Sequence, residues 1–245
     1  MKETFNDFAD LSKKDGILIT KLGLGIESLT YSIEGDSDYK ATKLRIEDHK
    51  YHFDLLSPMS GVSSIISNQF GEYNVENTLA AFAMAEQYGL SSELITEAIS
   101  TFSGVQRRFN VFKYESKIIV DDYAHHPSEI EVVYKASKEL YAGLKVGVVF
   151  QPHLYSRTRD FEAEFAKVLS KFNSVALLDI YPARELPIEG VTSENLLNLI
   201  ENSKKQLLIK GDIKSYVQNC DNDVILMLGA GDIGVEINKL KVNNG

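Results

Sequence analysis

The sequence predicts an α/β chain. Its second half reads as a doubly wound, mostly parallel sheet, preceded by a small antiparallel β segment and two helices. Three observations carry that expectation. From residue 109 onward, short β-branched runs alternate with helical patterns, the order that builds a parallel sheet with crossover helices. Between residues 29 and 56, apolar and polar residues alternate over closely spaced runs, as in antiparallel strands with one solvated face. Finally, four strand exits in the second half carry polar, cationic or glycine-rich residues. In a parallel sheet such exits share one edge, the edge where ligands sit.

In chain order, residues 2–14 read as a short amphipathic helix, with Phe5, Phe8 and Leu11 at helical spacing and Lys13-Lys14 near its end. A turn at Asp15-Gly16 and a strand at Ile17-Leu18-Ile19-Thr20 follow. The alternations Leu29, Tyr31, Ile33, then Leu44, Ile46, then Tyr51, Phe53, Leu55 give the small antiparallel run, with a turn at Asp48-His49-Lys50. His49 and His52 read there as strand or turn residues. Beyond Gly71 a helix runs to Tyr88-Gly89, where glycine suits the C-cap. Asn74 and Asn77 lie three apart and share a face of its first turn. Asn74 suits a cap. Asn77, inside the helix, has poor propensity, and an amide pair there can hydrogen-bond a flat heterocycle. A second helix starts at Ser91-Ser92-Glu93 and ends near Phe102. Ser103-Gly104 reads as a hinge, which divides the chain into 1–103 and 104–245. Beyond it, strands are expected at 109–114, 117–121, 145–150, 174–179, 206–209 and 223–228, and helices at 128–142, 158–171, 193–202, 211–218 and 232–240.

The densest chemistry lies in Val120-Asp121-Asp122-Tyr123-Ala124-His125-His126-Pro127, where two carboxylates and two imidazoles share one strand-to-helix turn. Pro127 suits the helix's first turn, where a missing N–H is harmless. The other exits are Phe150–Asp160, Asp179–Glu185 with Arg184, and Leu228–Ile233. Arg157 and Arg159, read at the start of the helix at 158–171, would oppose its macrodipole unless an anion lay nearby. Gly229 and Gly231 suit either a tight turn or close backbone approach to a ligand.

Composition excludes several classes. The formal net charge is −9, without the basic field of a general nucleic-acid binder. One cysteine, Cys220, forms no intrachain disulfide and reads as a small hydrophobe. The polar amino terminus does not resemble a signal peptide, and no apolar run approaches the ~18 residues of a membrane span. The expected compartment is the cytoplasm, with neither membrane nor nucleic acid as partner. A nucleotide-using enzyme of this shape should carry Gly-x-x-x-x-Gly-Lys-Ser/Thr, and the sequence has none.

In family order, Gly71–Ala81, Gly104–Phe109, Asp121–Pro127, Phe150–Asp160, Asp179–Glu185 and Gly229–Ile233 resemble the carboxy-terminal half of the Mur ligases. Phe150-Gln151-Pro152-His153 with Arg157-Thr158-Arg159 points to the member that joins L-alanine to UDP-N-acetylmuramate in peptidoglycan precursor synthesis. The resemblance implies the end of a central ATP-binding domain in 1–103, without its P-loop, and a Rossmann-like domain in 104–245. The UDP-binding and P-loop regions would then lie outside this chain, which alone would be inactive. It implies ATP as cofactor, with Mg²⁺ bridging phosphate oxygens and no metal ligand in this chain. Asn74 and Asn77 would contact adenine, Arg108 the phosphates and Asp122 the ribose hydroxyls, with Tyr123 also on the cofactor side. Tyr123, His125, His153, Arg157 and Arg184 would surround L-alanine and the acyl phosphate, with His125, His153 and Arg157 closest to the chemistry. Relatives often carry Arg where this chain has Leu154, so that one cationic contact to the alanine carboxylate is either lost or supplied by Arg157 or Arg184. A peptide-recycling member of the family, and a non-catalytic Rossmann-like module for an anionic metabolite, are the alternatives.

Overall fold

The structure, a computed structural model, describes residues 2–11, 16–48 and 50–242. Lys13-Lys14 of the expected first helix, Asp15 of the turn after it, and His49 lie outside the described residues. The chain divides into two compact units, Met1–Gly104 and Val105–Gly245, each with its own hydrophobic core.

The first unit opens with helix α1 (Lys2–Asp10), followed by strands β1 (Ile19–Lys21), β2 (Leu29–Ser32), β3 (Tyr39–Glu47), β4 (Lys50–Ser57) and β5 (Gly61–Ser67) in one sheet of that order. Strands β3 and β4 are antiparallel, as the alternation suggested, and β5 is antiparallel to β4, but β1, β2 and β3 run parallel. The sheet is therefore mixed, because a period of two marks a strand without marking its direction. Strand β5 has no sequence forecast. Its inward face carries Ser63, Ile65 and Ser67, too little apolar surface to read as a strand. Tyr39, Ala41, Tyr51, Phe53, Leu55 and Ile65 pack on Val75, Leu79, Phe82 and Ala83 of α2 (Glu72–Gln87) and on Ile95 of α3 (Ser92–Thr101). Each fully buried large side chain there contributes about 1.5–3 kcal/mol. The N-cap of α2 is Gly71, at φ 90°, so Asn74 is inside the helix and not its cap.

The second unit contains β6 (Asn110–Tyr114), β7 (Lys117–Asp122), α4 (Pro127–Leu140), β8 (Val146–Phe150), α5 (Tyr155–Asp160), α6 (Glu162–Leu169), β9 (Ser174–Leu177), α7 (Ser193–Leu199), β10 (Lys205–Leu207), α8 (Ile213–Asn219), β11 (Val224–Leu228) and α9 (Ile233–Val242). The sheet order is β10-β9-β8-β11-β7-β6, parallel throughout except for β6 against β7. This is the expected doubly wound sheet. Ile119, Val149, Ile225 and Met227 face Ile213 and Val217 of α8 and Ile233, Ile237 and Leu240 of α9. On the other face Phe150 meets Phe165 of α6, ring centroids 5.4 Å apart. Strands β8 and β11 are buried along their whole length, which is why they read as unbroken apolar runs.

Two helix expectations change. The helix expected at 158–171 is two helices, α5 and α6, broken where Phe161 takes φ −121° and ψ 23°. Arg157 and Arg159 consequently lie in the last turn of α5, where the helix dipole favours cations. The argument that they oppose a dipole falls with that. The helix expected at 211–218 opens with a 3-10 turn, Lys210–Asp212. Strands β9, β8, β11 and β7 are neighbours and parallel, so their four exits lie side by side.

Candidate active site

The exit of β7 is built by its two acids and one glutamate. The Asp122 side chain turns inward, 2% exposed, and accepts from the backbone N–H of Phe109 at 2.8 Å and of Ala124 at 2.7 Å. Burial pushes its carboxyl up to about 6, against the pull of those N–H groups and of Arg108. The residue expected at the ribose thus fastens the turn to the start of β6. Glu129 accepts from the N–H groups of His125 at 2.9 Å and His126 at 3.2 Å. His126 caps α4 by accepting from the Ser128 N–H at 3.3 Å, and its ring rests against Phe161. One of the two imidazoles is therefore structural. The other, His125, and the Tyr123 ring meet edge to face at 5.3 Å.

The exits of β8 and β9 are joined by a short bridge. Leu154 N–H donates to Tyr181 O at 2.9 Å, and Tyr181 N–H donates to Pro152 O at 2.8 Å. The bridge stacks the Tyr181 ring on His153, centroids 5.7 Å apart. The edge of His125 comes within 5.8 Å of His153, and Arg157 Nη1 lies 3.3 Å from His153 Nδ1. Burial, then the charge of Arg157, holds the His153 imidazole below its usual range. Leu154 has φ 73°, a conformation that strains a residue with a Cβ. Glu185 clasps Ser156 through the backbone N–H at 2.9 Å and through the hydroxyl. Those bonds hold its carboxyl below the usual range.

The β11 exit is closed on itself. A Cβ added at Gly229 would lie 2.7 Å from Gln151 O, and one at Gly231 would lie 2.4 Å from Gln151 Oε1 and 2.7 Å from Tyr181 Cβ. These glycines make room for the chain's own atoms, which decides between the two readings the sequence left open. Gln151, 1% exposed, donates to Asp232 Oδ1 at 2.8 Å and accepts from Ile233 N–H at 2.9 Å. Arg107 reaches the same turn, donating to Gly229 O and to Gly231 O, and pairs with buried Asp121 at 3.2 Å. Its neighbour Arg108 is exposed, over the Tyr123 ring at 5.9 Å, and makes no ion pair among the described residues.

In the first unit, Asn74 donates to Phe70 O at 2.7 Å and accepts from Asn77 Nδ2 at 3.2 Å. Asn74 is buried and orients Asn77, which is exposed. Of the expected amide pair, Asn77 is the member presented to solvent.

The structure thus brings Tyr123, His125, His153 and Arg157 into one cluster, with Arg108 at its border. Arg184 is exposed in the β9 exit loop, and no hydrogen bond or ion pair among the described residues ties it to the cluster. Sequence reasoning singled out neither Tyr181 nor Arg107. Tyr181 had a signal, an aromatic residue at a strand exit. Arg107 had none to separate it from Arg108. Among the described residues no group of three or more His, Cys, Asp or Glu could hold a metal ion. A cavity of about 240 Å³ lined by Ser174, Lys205, Tyr216 and Asn222 lies at the opposite ends of the strands.

Comparison with known proteins places these observations. The family profile described as the Mur ligase, glutamate ligase domain matches residues 107–231, and that of the Mur ligase middle domain matches residues 14–85. The UDP-N-acetylmuramate–L-alanine ligase of Christiangramia forsetii is 44% identical over 98% of this chain, which covers 54% of that protein. The enzyme of the same name from Flavobacterium psychrophilum is 43% identical, with the same coverage of 98% and 54%. The chain spans about half the length of these curated relatives. Among solved structures, a UDP-N-acetylmuramate–alanine ligase from Thermotoga maritima superposes with a TM-score of 0.74 at 22% identity, over 93% of this chain and 51% of that one. A murein peptide ligase from Psychrobacter arcticus gives 0.66 at 19% identity, over 100% of this chain and 54% of that one. Both share the fold. No described helix is long and apolar enough to cross a membrane.

Proposed function

The chain belongs to the Mur ligase family, and from that premise we propose that it supplies the amino-acid-binding part, and some of the ATP contacts, of a cytoplasmic ligase joining L-alanine to UDP-N-acetylmuramate. Residues 1–103 are read as the end of a central ATP-binding domain and 104–245 as the Rossmann-like ligase domain. The observation that carries the reading is the cluster of His125, His153, Arg157 and Tyr123 at one sheet edge. It gathers two imidazoles and one guanidinium in one cluster, with Tyr181 stacked on His153. Such a set suits a small zwitterion: cationic and N–H groups for the carboxylate, and an imidazole for the ammonium.

The reaction has two steps. ATP phosphorylates the lactyl carboxylate of UDP-N-acetylmuramate, and the alanine amine then displaces phosphate from the acyl phosphate. This chemistry depends on positioning and charge neutralisation. Arg108, exposed and without an ion pair among the described residues, is free to meet phosphate, and Tyr123 lies beneath it. Asn77 keeps its amide oxygen for adenine, with Asn74 as its support. Asp122 belongs to this reading as the residue that fixes the turn carrying Tyr123 and His125. Arg184 stays available to the alanine carboxylate as a loop cation. Mg²⁺ enters as the partner of the phosphates, and the described residues offer it no cluster of their own.

A chimera tests the reading. The part of the Christiangramia forsetii ligase that precedes its match is fused ahead of this chain. ADP release that requires both UDP-N-acetylmuramate and L-alanine is expected. The unfused chain, lacking the P-loop motif, is expected to release none. A folded chimera that binds an ATP analogue but is inert with L-alanine would overturn the reading. Activity only with a preformed peptide would move it to peptide recycling.

A further inference from the structure

The two site imidazoles stand in different hydrogen-bonding surroundings. His125 Nδ1 lies 2.9 Å from the Tyr123 carbonyl oxygen and 3.3 Å from Glu129 Oε2. Both partners are acceptors, so this nitrogen must carry the proton. A neutral His125 ring then leaves Nε2 as a bare lone pair. His153 Nδ1 lies 3.3 Å from Arg157 Nη1. A guanidinium has donors and no acceptor, so this nitrogen must be the bare one, and the His153 proton sits on Nε2. The tautomers follow from the hydrogen-bond network.

We propose that the fold fixes His125 and His153 in opposite tautomers, so that His125 Nε2 takes the proton of the incoming ammonium and His153 Nε2–H donates to an oxygen of the amino acid or acyl phosphate. The inference rests on the amide-ligase reading and assigns its proton chemistry, which the sequence left undivided between the two histidines. The rings meet edge to face at 5.8 Å, so the acceptor of one ring and the donor of the other belong to a single cluster. The bonds balance as follows. One ammonium N–H bond breaks and its proton passes to His125 Nε2. The freed nitrogen lone pair forms the C–N bond at the acyl carbon, and the C–O bond to the phosphoryl group breaks with its electron pair. The second N–H proton leaves with the phosphate, and His125 returns its proton to solvent. The imidazolium formed at His125 keeps Nδ1–H directed at Tyr123 O and Glu129. His153 beside Arg157 is poorly placed to become positive. Tyr123, Glu129, Arg157, Tyr181 and Glu185, together with each imidazole for the other, are the titratable and charged groups in contact with these rings or acting on them.

The test needs no turnover. The chain has five histidines. With ¹⁵N-histidine labelling, two-bond ¹H–¹⁵N correlations at pH 8 show which ring nitrogen carries each proton. His125→Gln and His153→Gln each delete one pattern and so assign it. Should either fail to fold, Arg157→Gln serves instead, since it disturbs the His153 pattern alone. The expected result is Nδ1–H for His125 and Nε2–H for His153. Finding Nε2–H at His125, Nδ1–H at His153, or rapid exchange between tautomers at either ring would overturn the proposal. The ligase reading would survive that outcome, because the chimera assay decides it separately.

Discussion

The turn after β7 and the turn after β11 leave neighbouring parallel strands, and both carry residues that suggest chemistry. They differ in what those residues touch. After β7, the anchoring is done by groups that are not needed outside: Asp122 and Glu129 accept backbone N–H groups, and His126 caps the helix. Tyr123 and His125 are left to face the neighbouring exits. After β11, the glycines are packed against Gln151 and Tyr181, and the carbonyl oxygens of the turn are taken by Arg107. One turn spends its polar groups on shape so that two rings stay available. The other is shape alone. A glycine-rich strand exit is thus no evidence of a ligand until its neighbours are known.

Breaking the closed turn should give the largest effect on folding. Gly229→Ala puts a Cβ 2.7 Å from the Gln151 carbonyl oxygen at φ 142°, where the backbone atom cannot step aside. A loss of about 3 kcal/mol is expected in urea denaturation. A loss under about 0.5 kcal/mol would show that the turn is slack and open to a ligand.

The anchor of the open turn is tested through pH. The folded pKa of Asp122, about 6, lies above the unfolded value of about 3.9. The native state therefore binds the proton more tightly, and stability falls as pH rises from about 4 to about 6. Asp122→Asn removes that titration. Wild-type stability relative to this variant should decline across that window by on the order of 2 kcal/mol. A flat difference would mean that Asp122 is better solvated than its burial indicates.

The smallest effect separates the adjacent histidines. His126→Ala should cost about 1 kcal/mol through the lost cap, with a lowered thermal midpoint. His125→Ala should change stability by less than half of that. Equal losses would blur the division between anchor and site within the β7 exit.

The comparison also shows what a sequence makes legible. The parallel sheet was readable because β8 and β11, buried on both faces, are unbroken apolar runs. The strand exits were readable because chemistry-bearing residues cluster after those runs. Directions were not: β2 alternates as an antiparallel strand does, yet pairs parallel with β3. Nor were partners. Asp122 and Arg108 both looked like ligand contacts, but one carboxylate is occupied by backbone N–H groups, while the guanidinium is exposed. The break at Phe161 moved two arginines from the start of a helix to its last turn, which no propensity at a single residue announces.

The most direct measurement is L-alanine-dependent ADP release by the chimera carrying His125→Gln or His126→Gln, at saturating UDP-N-acetylmuramate. The account expects His125→Gln to lower the rate about 100-fold at an unchanged thermal midpoint, and His126→Gln to keep the rate while melting earlier. An undiminished rate in His125→Gln, or equal losses in the two variants, would contradict the claim that the β7 exit divides its side chains between anchoring and chemistry.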